Sequence, residues 1–566
     1  MFVNHSRDTP PRRQGGRILI ALVAVLAAAQ PADLAAQTIE AVRAQIAQLI
    51  PGGKSLPGRR YPDHGAAQAL RTVYARTANA PLWSREGRAT AQAEAVLQEL
   101  RNAAAYGLRA QDYAADAIAQ LAGSEASVGA DLRWAQFDVR LSAAALGFMS
   151  DLHYGRVDPR AAGFNLQGVH QELDLASSLE GLAASENVIT ELASVEPPFY
   201  HYHLLREHLP LYLKLAQQPQ LTHLPAMSGT LKPGSSYAGA PALRRLLTAL
   251  GDLPEGKEPP SPDATFDADL SAGVRSFQQR HGLTPDGTLG KATLRALTTP
   301  LAQRVRQIDL TLERWRWLPP FATPPIIVNI PQFRLFAFRT TEDRAADILQ
   351  LDVIVGRVYP RMQTPVFESE MKYVVIRPYW DVPFSITSKE MLPKIRANPG
   401  YLAAQRLQIV RGQGDASPVV APTPAAIAAL AAGQLRLRQR PGEDNALGLI
   451  KFMFPNNYNV YLHSTPAHRL FQEPVRAFSH GCIRVSDPSA LATEVLKNAP
   501  GDWTREKIDA AMNDDQTIRV NLPQPIIVLI LYGTALATEA GPILFFDDIY
   551  GYDKKLEARL GLAPAR

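Results

Sequence analysis

Cys482 is the single cysteine of the chain, and it sits in the run Phe478-Ser479-His480-Gly481-Cys482-Ile483-Arg484-Val485. A lone thiol has no intramolecular disulfide partner. Beside a histidine and a glycine it reads as a nucleophile, because the thiolate attacks and a nearby imidazole generates it. A second histidine, His463, lies upstream in Val460-Tyr461-Leu462-His463-Ser464-Thr465-Pro466, with fifteen residues between it and Ser479. Acyl transfer from a peptide needs a nucleophile, a base and a site for the developing oxyanion. Cys482 is the candidate nucleophile. His463 is the candidate base, since a strand end can hold an imidazole rigidly against a facing loop. His480 is the rival base, but two positions before the nucleophile it is expected to point away and to shape the loop or touch substrate. Ser464 is expected to orient His463 through its side chain or backbone carbonyl. Gly481, with no Cβ, lets the backbone bend so that its own N–H and that of Cys482 converge on the oxyanion. Ser479, Arg484, Tyr461 and Trp380 are candidate substrate contacts; for the two aromatics a place in the core is the alternative. A zinc site from His463, His480 and Cys482 is the rival chemistry. Structural zinc usually takes four ligands, often in close pairs, and neither Cys-x-x-Cys nor His-Glu-x-x-His occurs. No metal or cofactor is expected.

The elements that must position these residues are strands. From Leu301 onward, Ile326 to Ile330, Phe333 to Phe338, Leu349 to Val355 and Tyr373 to Ile376 are short and rich in β-branched or aromatic residues. Strands resume at Leu449 to Phe454, Val460 to His463, Ile518 to Val520 and Ile526 to Leu531. Asp487-Pro488 supplies an N-cap and first-turn proline for a helix reaching about Leu496. Between about 388 and 447 the chain is helical and then Ala/Pro-rich, an insertion placed to act as a lid.

Upstream the texture is helical. Val42, Ile46 and Leu49, then Ala93, Leu97 and Leu100, then Trp134, Phe137 and Leu141 repeat at three- and four-residue spacing. The simplest reading is an α-helical scaffold over 37–240. A smaller unit at 241–300 has an amphipathic helix through Phe277-Gln278 closed by Gly282, a Pro285-Asp286-Gly287 turn, and a final helix that Thr288 is expected to open. The fold class is therefore multidomain α+β, with helical domains preceding a mostly β catalytic domain at 301–566.

At 566 residues the chain calls for three or four domains, and 46% hydrophobic with 20% charged residues is ordinary for a soluble protein. The net charge of +5 suits a loosely anionic partner or carries no meaning. No basic stripe interleaved with aromatics and no nucleic-acid motif is present, so nucleic acid is not an expected partner. Residues 1–36 read as an export signal: Arg12, Arg13 and Arg17, then an apolar run from Ile18 to Ala29, then small residues where cleavage is expected. A retained N-terminal anchor is the alternative. Either places the protein in an oxidising compartment, the periplasm, where a lone thiol has no structural use.

The His463 spacing and the Ser479-His480-Gly481-Cys482 run resemble the L,D-transpeptidase catalytic domain, the YkuD-type fold. Val355-Gly356-Arg357, Thr364-Pro365-Val366 and Arg377-Pro378-Tyr379-Trp380-Asp381-Val382-Pro383 match further. The unit at 241–300 resembles the three-helix peptidoglycan-binding family, which implies glycan contact or a mere spacer. With scaffold, module and insertion together, the chain is similar to the large YcbB-like branch of Gram-negative bacteria. The resemblance implies Cys482 as nucleophile and His463 as base, peptidoglycan stem peptides as donor and acceptor, and inactivation by carbapenems. It implies a 3→3 cross-link between diaminopimelate residues, with release of D-alanine. An L,D-carboxypeptidase or cell-wall hydrolase shares every one of these residues, and a non-catalytic peptidoglycan-binding protein is the reading from another class. Other cell-wall enzymes are possible partners.

Overall fold

In the computed structural model the described residues are 31–50, 52–123, 129–166, 172–254, 264–341, 348–359, 362–398, 400–539 and 541–562, with side chains from 39 onward. The Arg12–Arg17 flank and the apolar run to Ala29 lie outside them. Among the described residues no helix is long and apolar enough to cross a membrane.

Nine strands form the central sheet: β1 Ile326–Asn329, β2 Arg334–Phe338, β3 Ile348–Gly356, β4 Phe367–Ile376, β5 Ile450–Met453, β6 Leu462–His463, β7 Ala477–Ser479, β8 Ile483–Val485 and β9 Ile518–Leu531. Their order is β7-β3-β8-β6-β5-β4-β9-β1-β2, and β2 also pairs with β3, so the ring from β3 round to β2 closes. Closure removes exposed edges from that ring. The two C-terminal strands expected at Ile518 and Ile526 are one strand, interrupted by a register shift between Asn521 and Ile526 that Pro523 and Pro525 explain. After β8, the helix Pro488–Leu496 starts as expected, with the Asp487 carboxylate accepting from the Ala490 N–H at 2.9 Å.

The insertion departs from the helical expectation. It carries helices at Leu392–Ala397, Tyr401–Ala404 and Pro424–Ala431. It also carries a four-stranded antiparallel sheet of Val419–Val420, Leu407–Val410, Arg436–Gln439 and Trp380–Asp381. Ile395, Ile409, Leu430 and Leu437 form a core of its own. The strands are only two to four residues long, which hid them among alanines and prolines.

The helices of the N-terminal half pack Val42, Ile46, Leu97, Phe137 and Leu141 into one core that runs from Val42 to Val195. A second core joins helix Tyr200–Ala216, the module and the catalytic sheet. The two cores interleave along the chain, because Val157, Ala162, Phe164 and Leu166 already pack into the second. In the module, helices Ala240–Ala249, Ala268–Arg280 and Lys291–Leu297 surround a buried Gln278. Its amide accepts from the Gly287 N–H at 2.8 Å and donates to Asp286 at 2.9 Å, Thr288 O at 3.0 Å and Thr293 at 3.1 Å. Gln278 and Asp286 therefore build the turn. Gly290, not Thr288, stands at the N-cap of the last helix.

Candidate active site

The parallel pairing of β6 with β8 sets Leu462 opposite Ile483 and His463 opposite Arg484. Side chains alternate along a strand, so Leu462 and Ile483 go into the core, both fully buried, while Tyr461, His463, Cys482 and Arg484 share the other face. The antiparallel pairing of β5 with β6 adds Lys451, directly opposite His463.

His463 is only 4% exposed, and its Nδ1 lies 2.5 Å from the carbonyl of Ser464. A carbonyl only accepts, so in the neutral ring Nδ1 carries the proton and Nε2 is the unprotonated nitrogen. Of the two routes expected for Ser464, the backbone one is used. Burial, then the Arg484 cation, holds the imidazole down at about 3, with Lys451 adding to the effect and the Ser464 and Leu447 backbone opposing it. The ring is neutral and able to accept a proton.

Cys482 is half-buried and its Sγ points to the Asn459 carbonyl at 3.6 Å. Burial pushes the thiol up from its ordinary range; the backbone and hydroxyl of Tyr461 and the Arg484 cation pull it back. Both groups thus rest neutral, on the same face of two paired strands. The Tyr461 ring lies 5.7 Å from that of His463, and its hydroxyl interacts with Cys482 and Trp380, so both aromatics line the site.

The loop before the nucleophile is tied internally. Ser479, expected to touch substrate, is 2% exposed; its hydroxyl donates to the Cys482 carbonyl at 2.5 Å and accepts from the Gly481 N–H at 3.0 Å. That corrects two expectations at once: Ser479 is a staple of the turn, and the Gly481 amide is already engaged. Among the described residues the Cys482 N–H makes no hydrogen bond. Gly481 has φ +122, so its freedom is conformational. Thr364 holds the same turn, its hydroxyl accepting from the Gly356 N–H and donating to the Gly481 carbonyl, both at 2.8 Å. Gly356 is glycine because a Cβ there would sit 2.0 Å from the Met362 carbonyl. Tyr550 closes the set by donating to the Gly356 carbonyl at 2.5 Å.

His480 does point away from the thiol. Its Nε2 is 2.9 Å from Glu390 of the insertion. Among the described residues no group of three or more His, Cys, Asp or Glu is placed to hold a metal. Sequence reasoning missed Glu390, Lys451, Asn459 and Tyr550. Register with His463 would have found Lys451, and nothing local signals the others.

Three family matches cover the chain in order. Residues 68–209 match the scaffold domain, 238–297 the "putative peptidoglycan binding domain", and 324–505 the L,D-transpeptidase catalytic domain, which contains the whole Cys482–His463 face. The chain therefore carries an L,D-transpeptidase catalytic domain of the YkuD type together with a scaffold domain and a peptidoglycan-binding domain. Among curated proteins it is 34% identical over 254 residues to a "putative L,D-transpeptidase" of Haemophilus influenzae, covering 44% of this chain and 49% of that protein. It is 42% identical over 72 residues to the N-acetylmuramoyl-L-alanine amidase CwlM of Mycobacterium tuberculosis, over 12% of this chain and 18% of that protein. The chain thus spans about half the length of the first relative and less of the second.

Proposed function

We propose that the protein is a peptidoglycan L,D-transpeptidase working through a Cys482 thioester. The observation that carries this is the shared face of β6 and β8, which holds a neutral His463 with an unprotonated Nε2 and the only thiol of the chain. In the first half-reaction His463 takes the thiol proton as Sγ bonds to the carbonyl carbon of the L-centre of diaminopimelate, third in a stem tetrapeptide. The oxyanion accepts from the Cys482 N–H. The C–N bond then breaks, the proton passes to the departing amine, and D-alanine leaves. In the second, the side-chain amine of another diaminopimelate attacks the thioester, giving a 3→3 cross-link and restoring the thiol. Water in place of that amine gives the L,D-carboxypeptidase reaction from the same residues.

The expected signal at 1–36 supports export to the periplasm, where this substrate lies, and a carbapenem is expected to acylate Cys482. The module at 241–300 is assigned contact with the glycan strand. Purified protein incubated with disaccharide-tetrapeptide is expected to yield 3→3 dimers by mass spectrometry. Monomers with D-alanine release alone assign it as a carboxypeptidase. Full activity of Cys482→Ala overturns the thioester route, and an unmodified Cys482 after carbapenem exposure counts against the acylation.

A further inference from the structure

Arg484 holds a cation against the nucleophile with nothing opposite it. It stands two residues after Cys482 on the same face, about 7 Å along an extended strand. Among the described residues it makes no hydrogen bond and no ion pair, and its Nε is buried without a partner. Other arginines of the catalytic domain have carboxylate partners: Arg436 pairs with Asp381, Arg476 with Asp352 and Arg377 with Asp515. Arg357 directly follows β3, the strand paired with β8, and its N–H donates to the Ser479 carbonyl at 3.0 Å. Its Nε is spent on the Phe478 carbonyl at 3.1 Å, and among the described residues it has no carboxylate either. It opens onto a surface recess shared with Val358, Tyr359 and Ala477. On the far side of His463 from Arg484 the balance differs, because the Asp415 and Asp381 carboxylates act on Lys451. A half-buried guanidinium whose Nε is left unsatisfied is costly, and with the exposed Arg357 at the same turn it marks a place for an anion.

We infer that Arg484, with Arg357 beside it, forms a carboxylate subsite that reads the free C-terminus of the departing residue. This rests on the acyl-transfer reading above. The scissile amide nitrogen is the nitrogen of the leaving amino acid, so its carboxylate lies one Cα beyond the bond that Cys482 breaks. With the carbonyl carbon at Sγ, that distance matches a guanidinium rooted two residues along the strand. The subsite makes the enzyme act on the last residue of a stem and turn away stems whose leaving residue is amidated or extended. The two cations also compensate the carboxylate that D-alanine carries out when the C–N bond breaks, and the subsite empties with the leaving group.

The experiment compares a tetrapeptide stem with its C-terminal carboxamide, reading release of the last residue as kcat/KM for wild type, Arg484→Ala, Arg484→Lys and Arg357→Ala. Charge-assisted hydrogen bonds of this kind give about a tenfold to hundredfold preference for the free acid in wild type. The preference is expected to fall to near unity in Arg484→Ala, to survive in part in Arg484→Lys, and to drop in the exposed Arg357→Ala, which keeps the measurement available if Arg484→Ala does not fold. Alkylation of Cys482 by iodoacetamide is read in parallel. If Arg484→Ala slows acid, amide and alkylation alike, Arg484 serves the thiolate only and the subsite is overturned. Equal use of acid and amide by wild type also overturns it while leaving the acyl-transfer reading intact. Absence of any release from the tetrapeptide by wild type refutes that reading itself.

Discussion

The imidazole of His463 is held neutral by its surroundings, and this sets the pH behaviour of the site. Burial and flanking cations place it at about 3, below its ordinary value of 6.5. The unfolded chain therefore binds this proton more readily than the folded one, so the stability tied to this group is complete above about pH 6.5 and is lost as pH falls toward 3. Denaturant midpoints of wild type are expected to fall more between those limits than those of His463→Asn. At pH 7 both groups are neutral, so the ultraviolet thiolate absorbance of wild type should match that of Cys482→Ser; an excess would show a thiolate–imidazolium pair instead. On the proposed mechanism, His463→Ala is expected to lower D-alanine release by about 10²- to 10⁴-fold. Thr364 belongs to the same scale. Thr364→Val leaves the Gly356 N–H and Gly481 carbonyl unpaired, at about 1–3 kcal/mol each, and is expected to lower both the thermal midpoint and kcat.

At the scale of elements, the insertion is a small folded unit tied to the catalytic turn. It begins on the Trp380–Asp381 strand, earlier than the expected 388, and its hydrophobic cluster includes Leu430 and Ala426 of helix Pro424–Ala431. Shortening 411–433 would remove part of that cluster and so disturb the unit's own packing. The His480–Glu390 contact gives a milder handle. Glu390→Ala is expected to raise hydrogen exchange across 384–397 and to speed iodoacetamide labelling of Cys482 severalfold, with the far-ultraviolet spectrum unchanged. Unaltered exchange and labelling would mean that the contact does not hold the insertion over the site.

For the whole molecule, the joint between the scaffold and the catalytic half is a buried charge cluster. The Glu313 carboxylate accepts from the Arg156 and Val157 N–H groups at 2.5 and 3.0 Å, pairs with Arg156 at 3.2 Å, and faces Arg316 at 3.6 Å. Arg316 and Glu313 are fully buried and Arg156 nearly so. Glu313→Ala would strand two cations in the interior, and breaking such a pair typically costs about 3–5 kcal/mol. A drop of that size in chemical denaturation is expected, and a change under about 1 kcal/mol would show that solvent reaches the joint. The module is fastened similarly: Arg280 pairs with Asp252 and donates to the Ile543 carbonyl of the catalytic domain at 2.9 Å.

Much of this was legible in the residues. The nucleophile and base types, their spacing, the strand texture around them and the Asp487-Pro488 helix start are local signals, because capping, alternation and turn chemistry act over a few positions. What the sequence by itself determined is therefore which groups can react and on what kind of element each sits. Only the tertiary structure decided who faces whom. Register between β5, β6 and β8 put Lys451, His463, Cys482 and Arg484 on one face, and burial of that face made the imidazole neutral and left Arg484 without a partner. Chain folding also brought Ser479 back onto its own turn and carried Glu390 across to His480. The physical reason is that charge, desolvation and hydrogen-bond supply depend on neighbours brought in by pairing, and the pairing joins residues far apart in the chain.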